Sequence, residues 1–188
     1  MTVAKSLPHL WQKVRKLLIP KLFLSYSCIF GKKVIIFAAL AMMLTMAAEV
    51  KAQADKVVGI YLANDDEGNA NSQVKIFKSA NGKYYGEIVW LDEPTNEDGT
   101  AKIDDKNPDP KLQNRKIMGM KILNDFTYDK GSDEWSGGTI YSPKTGKTYK
   151  AYLKFENDGK LKIRGYIGSS WMGLGKTVYW VKEKEIRK

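Results

Sequence analysis

Near the C-terminal end of this chain, side-chain character alternates strictly from one residue to the next. Tyr149, Ala151, Leu153 and Phe155 alternate with Thr148, Lys150, Tyr152 and Lys154. The pattern then repeats, with Leu161, Ile163, Gly165 and Ile167 set against Lys160, Lys162, Arg164 and Tyr166. A period of two is the signature of a half-buried strand and excludes an amphipathic helix. Between the two runs stands Asn157-Asp158-Gly159, whose residues accept positive φ and favour a tight hairpin. One face of this hairpin must be buried and the other wet.

The same marks predict further strands over Val57–Ala63, Gln73–Lys78, Lys83–Leu91, Lys116–Leu123, Glu134–Tyr141 and Lys176–Lys182. Ala80-Asn81-Gly82 and Ser142-Pro143-Lys144-Thr145-Gly146 read as turns. About eight strands with short links and no long helix give a mostly β fold. Sequential hairpins favour a single antiparallel up-and-down barrel, because closure removes exposed strand edges. A two-sheet sandwich is the alternative. The exception to short links is Asp92–Arg115, a long loop carrying seven acids between Asp92 and Asp109. Long loops in compact domains are often functional.

The chain has a formal charge of +10, which by itself suggests a nucleic-acid partner. Its distribution argues otherwise: residues 1–52 hold 8 Lys/Arg and 1 Asp/Glu, leaving +3 for residues 53–188. Most of the excess lies in a leader, and no nucleic-acid partner is expected. Lys32-Lys33 precede an apolar run over residues 34–48, too short for a confident membrane span. A basic start, a short apolar run and a small-residue exit describe a secretory signal peptide. Cleavage fits after Ala52 or after Ala54. The reading is thus a leader with a signal helix over residues 1–52 and one exported domain over residues 53–188, periplasmic or extracellular, with no stable membrane span once the signal is removed.

Both the single His (His9) and the single Cys (Cys28) fall in the leader. Residues 53–188 therefore lack disulfides, thiolate or imidazole metal ligands, Cys nucleophiles and His proton shuttles. No cofactor is expected, and an enzyme is the less favoured reading.

Several blocks follow one another in a familiar order. They are Gly-Glu-Ile-Val-Trp-Leu at 86–91; Asp104, Asn107-Pro108, Arg115 and Gly119; Trp135 through Pro143 with Gly146-Lys147-Thr148-Tyr149; Leu161 through Tyr166; and Thr177 with Trp180. This arrangement resembles the exported bacterial family called domain of unknown function 2147, over essentially all of residues 57–182. The resemblance implies a small lipocalin-like β-barrel and supplies no catalytic residue. Many members open with Gly-x-Trp; here the segment is Gly59-Ile60-Tyr61.

Candidate ligand-binding residues are Tyr61, Trp90, Arg115, Trp135, Tyr149, Arg164 and Tyr166, with Asp104 and Asn107 from the loop. Arg164 can sit on a solvated strand face, stack on an aromatic and plug one barrel end, or bind an anion bidentately. Tyr61 is a candidate partner for it. The loop residues Asp104, Asp105, Asn107 and Asp109 offer oxygen ligands, but their spacing matches no EF-hand loop, because the Gly and the distal Glu are missing, so no metal site is assigned. Asp65-Asp66-Glu67-Gly68 fits no better. Arg115 paired with one of the acids would pin the loop. Gly173-Leu174-Gly175-Lys176-Thr177 echoes a phosphate loop without the required strand–helix context, and Trp171-Met172 suggest an exposed hairpin tip. Three functions remain. The favoured one is a binding module for a small apolar or amphipathic ligand. The second is an envelope interaction protein with a filled barrel. The third is a carboxylate-based hydrolase using a pair such as Glu87 and Asp104.

Overall fold

A computed structural model describes Met42, Glu49 and residues 51–64, 70–168 and 174–188. The chain divides into two compact units at Lys51/Ala52. In the first unit, Met42, Glu49 and Lys51 are helical; most of the apolar run at 34–48 lies outside the described residues. No helix among the described residues is long and apolar enough to cross a membrane.

The second unit is a closed barrel of eight antiparallel strands joined in sequence order. They are β1 Gly59–Asn64, β2 Ala70–Lys78, β3 Tyr84–Leu91, β4 Lys121–Asp129, β5 Glu134–Ser142, β6 Lys147–Phe155, β7 Leu161–Tyr166 and β8 Gly175–Glu183. The ring closes through β1 and β8, in a short register of Ile60↔Glu183, Tyr61↔Lys182 and Leu62↔Val181. The closed ring excludes the sandwich.

One strand differs from expectation. β4 begins at Lys121, so Lys116–Met120 belongs to the preceding loop. Gly119 turns there at φ +82, and Met120 N–H donates to the Ile117 carbonyl at 3.1 Å. Asn124-Asp125 looks like a strand-ending turn but lies inside β4. Asp125 takes a left-handed φ of +64, which Asp tolerates better than most residues. It marks an irregularity in the β3–β4 ladder. Its carboxylate accepts from Tyr85 Oη at 2.9 Å and Lys83 Nζ at 3.1 Å.

The alternation puts Tyr61, Val74, Ile76, Tyr84, Ile88, Phe126, Trp135, Leu153, Leu161, Ile163 and Trp180 in the buried core. Trp135 is central, with ring centroids at 5.0 Å from Tyr128, 5.8 Å from Phe155 and 6.4 Å from Tyr84. Tyr61, Val74, Leu123, Phe126, Trp135, Ala151, Leu153 and Leu161 have no surface that water reaches. The lower and middle lumen is therefore solid, at the close packing usual for protein interiors.

The bottom of the barrel is sealed by the segment just before β1. The Ala54 carbonyl accepts the Trp135 indole N–H at 2.9 Å. The Val57 carbonyl accepts Tyr61 Oη at 2.9 Å. Lys182 Nζ donates to the carbonyls of Lys56 at 3.1 Å and Val58 at 2.8 Å. The Asp55 carboxylate accepts from Tyr84 Oη at 2.7 Å and Lys78 Nζ at 2.8 Å. Ala54 and Val57 are themselves buried.

Gly138 shows how tight the wall is. A Cβ there would lie 2.5 Å from the Asn124 carbonyl oxygen and 2.6 Å from the Phe126 ring. At Gly165 the same atom would sit 3.4 Å from Ile140 Cγ2 and 3.6 Å from Tyr149 Cβ. Gly138→Ala is therefore expected to destabilise by about 1–3 kcal/mol. Gly165→Ala should shift stability by less than about 1 kcal/mol, while Gly165→Val should destabilise through its extra methyl groups. Denaturant unfolding of the three variants checks the ranking; equal losses for Gly138→Ala and Gly165→Ala would contradict the packing described.

Candidate functional site

The long β3–β4 connection is an ordered ribbon. Asp104 N–H donates to the Arg115 carbonyl and Ile117 N–H to the Lys102 carbonyl, each at 3.0 Å, and Ile103 bridges Lys116. At its tip Asn107-Pro108 and Asp109-Pro110 make turns that their own side chains cap. Asn107 Oδ1 accepts from Asp109 N–H at 2.9 Å, and Asp109 Oδ1 from Lys111 N–H at 3.0 Å. The second turn opens a short 3-10 stretch, Pro110–Leu112. Gly146 permits the ribbon to touch the β5–β6 turn, since a Cβ there would overlap the Lys106 carbonyl oxygen. Its φ of +68 also suits glycine.

What pins the ribbon to the barrel is a fully buried carboxylate. Asp104 Oδ1 accepts from Tyr141 Oη at 2.6 Å. Its Oδ2 accepts from Asn107 Nδ2 at 2.6 Å and from Arg115 at 2.9 Å (Nε) and 2.8 Å (Nη2). Asn107 Nδ2 also reaches Tyr141 Oη at 3.1 Å. The Arg115 guanidinium lies 5.4 Å from the Tyr141 ring centroid. A buried charge persists when it is paired and hydrogen-bonded, and both conditions are met here. Burial, and then the bond to Asp104, raise the Tyr141 phenol above its ordinary range.

Between this ribbon and the outer wall lies a cleft of about 660 Å³. Asn124 of β4, Tyr141 of β5 and Thr148 of β6 line the wall side. The ribbon contributes Pro108, Leu112 and Met118, of which Leu112 and Met118 are exposed. Arg115, Lys116 and Lys121 supply positive charge, and no carboxylate lines the space. Asp104 balances Arg115 from beneath, so the surplus comes from the two lysines. A second concavity, also about 660 Å³, lies on the acidic outer arm of the loop around Glu93, Glu97 and Asp98.

The structure brings together only part of the predicted set. Arg115, Asp104 and Asn107 converge, with Asp104 as the acid that Arg115 holds. Tyr61 and Trp135 lie in the solid lower lumen, bonded to the bottom segment. Tyr149 is half-buried on β6 opposite Ile140. Trp90 is covered by the C-terminal tail: its indole donates to the Lys188 carbonyl at 3.3 Å, and the Arg187 guanidinium lies 5.4 Å from its ring. Arg164 pairs with Thr177, with Nη1 to Oγ1 at 3.1 Å, and Tyr166 closes β7 opposite Gly175. Register places both on the opposite side of β7 from Ile163, hence on the outer wall, so Arg164 neither meets Tyr61 nor plugs the lumen.

No group of three or more potential metal ligands exists among the described residues. Asp65–Gly68 and the Trp171-Met172 tip lie outside the described residues, whereas Gly175-Lys176-Thr177 runs into β8 rather than into a helix. Tyr141, Leu112 and Met118 were missed from sequence. The available signal for Tyr141 was an aromatic on the outward register of a strand.

Removing the buried anchor should be costly. Asp104→Ala leaves Arg115, Asn107 and Tyr141 without their acceptor, at about 3 kcal/mol; Tyr141→Phe removes one hydrogen bond, at about 1 kcal/mol. Thermal unfolding of both variants checks this, and a neutral Asp104→Ala would contradict the anchor. The tyrosines also fix an alkaline limit. Burial raises Tyr61, Tyr84 and Tyr141 above the ordinary 10.0 and pushes Tyr128 up to about 12. Their folded pKa values exceed the unfolded ones, so their contribution is complete below about pH 10 and is lost as pH rises beyond it. Unfolding midpoints should hold level up to about pH 10 and then fall, with tyrosinate absorbance lagging that of the unfolded chain; coincident tyrosinate curves for folded and unfolded chain would contradict it.

The comparisons with known proteins agree with this architecture. A family profile described as "Uncharacterized protein conserved in bacteria (DUF2147)" matches residues 59–182. A solved structure, protein HP1028 from the human pathogen Helicobacter pylori, described as belonging to the lipocalin family, is similar at 29% identity and a TM-score of 0.58. The match covers 69% of this chain and 84% of that one. No curated protein matches this chain. With its eight-stranded lipocalin-like barrel, the chain belongs to the DUF2147 family of uncharacterized bacterial proteins.

Proposed function

We propose that this protein is an exported binding module for a small amphipathic anion, held in the ribbon-roofed cleft on the outer wall. The observation that carries the reading is the cleft itself: about 660 Å³, apolar on the ribbon side, with Arg115, Lys116 and Lys121 and no carboxylate. That volume lies within the range of small-molecule sites. A hydrocarbon tail would lie against Leu112 and Met118, and a carboxylate, sulfonate or phosphate head would meet the lysines. The lipocalin-like fold supports a ligand-binding role, and the basic, apolar leader supports export. The packed lower lumen favours a second reading, an envelope protein whose solid barrel presents its surface to a partner. The hydrolase reading loses its acid, because both Asp104 oxygens are taken by Tyr141, Asn107 and Arg115.

Native mass spectrometry of the protein from its own host is expected to show a discrete amphiphile adduct. In solution, the amphipathic anion anilinonaphthalene sulfonate should bind, and Lys116→Glu with Lys121→Glu should weaken it by about tenfold, the equivalent of roughly 1.4 kcal/mol. A bare mass together with unchanged probe binding in the double variant would sink the cleft reading and favour the solid-barrel one.

A further inference from the structure

We propose that the leader is removed between Ala52 and Gln53, and that Gln53 and Ala54 belong to the folded domain. This rests on the export reading. Signal peptidase reads small residues at the first and third positions before the cut. Val50-Lys51-Ala52 and Ala52-Gln53-Ala54 both satisfy that rule, so sequence leaves two starts open.

The fold separates them. Lys51 and Ala52 are exposed, whereas Ala54 is buried. The docked strip thus begins at Gln53, whose Nε2 donates to Asp133 Oδ1 at 3.0 Å. One residue on, the Ala54 carbonyl takes the indole proton of Trp135, a side chain that water does not reach. A cut after Ala54 would delete that carbonyl. The buried indole would lose its acceptor, a loss that folded proteins rarely tolerate. The same cut would place a new ammonium group on Asp55, at the edge of the sealed bottom. A cut after Ala52 keeps the Ala54 carbonyl for the Trp135 indole and the Gln53 contact with Asp133. Its new ammonium falls on Gln53, whose side chain already rests against the Asp133 carboxylate.

The test is the intact denatured mass of the full-length protein after export from a Gram-negative host. The expected mass is that of Gln53–Lys188, with or without loss of ammonia by cyclisation of Gln53. A chain starting at Asp55 overturns the assignment while leaving export standing. A mass that retains the leader overturns the export reading as well. A full-length Ala54→Leu variant gives a second reading, because leucine is too large to precede a cut. Processing should continue at the same bond, with the mass changed only by the substitution; retention of the leader in this variant alone would show that the natural cut follows Ala54.

Discussion

Two buried side-chain donors and one exposed lysine, from three different strands, converge on one short strip of backbone. Trp135 of β5, Tyr61 of β1 and Lys182 of β8 all donate to carbonyls between Ala54 and Val58. The barrel depends on this arrangement because its closing seam is short. β1 and β8 share only three register pairs, one of them Tyr61↔Lys182. The two residues of that pair also bind the strip, so the strip clamps both sides of the seam at its end. It also supplies polar partners that a solid apolar lumen lacks. An indole or a phenol at the bottom would be costly if left unpaired. Partial desolvation and then the neighbouring Lys56 charge lower the Lys182 pKa, and its ammonium donates to the carbonyls of Lys56 and Val58.

The opposite side of the molecule solves a similar problem with charge instead of backbone. Asp104 is buried on the outer wall, where the ribbon would otherwise hold only turn residues and a few exposed apolar side chains. Its two oxygens take four donor contacts from three residues. Those residues come from the loop tip, the returning arm of the ribbon and β5. A carboxylate with that many partners sets the direction of each, which turns a long connection into a rigid roof. The cleft lies beside this anchor, where the pinned ribbon faces Asn124, Tyr141 and Thr148 of the wall. Arg115 is thereby committed to structure, so the positive charge along the cleft beyond the Asp104–Arg115 pair is that of Lys116 and Lys121.

Strand number, order and closure were legible because period two survives in single-sequence patterns and hairpin turns carry their own residues. The end of β4, expected at Leu123 and found at Asp129, shows the limit. Asn124-Asp125 is a turn signal by composition, but Asp125 spends its tolerance of positive φ on an irregularity within the strand, pinned by Tyr85 and Lys83. Local preference and tertiary pairing favoured different outcomes, and pairing won. The Asp104–Arg115 pair was visible as an acid and a base in one loop. Its acceptor role toward Tyr141, 37 residues away in sequence, was not, because nothing local encodes which outward tyrosine a loop will cover. Arg164 shows the same limit: alternation assigns it to the polar strand face, where the register places it, but does not say which groups it meets there.

These placements bear on how a lipocalin-like fold can work when its lumen is filled. An eight-stranded ring encloses just enough room to be packed by side chains or to hold one small ligand. Here Trp135, Tyr84, Phe126 and Tyr61 occupy the lower half, and Gly86 and Gly138 lie against Leu123 and Phe126. Emptying such a core would require losing several large aromatics, each contributing kilocalories of burial. A ligand therefore gains more by adding to the outside than by replacing the inside. On the proposed reading the ribbon would offer that site without disturbing the ring, since Leu112 and Met118 are exposed and Asp104 fixes the ribbon's position. In this chain the barrel is a packed wall, and the long connection between β3 and β4 is the surface laid against it.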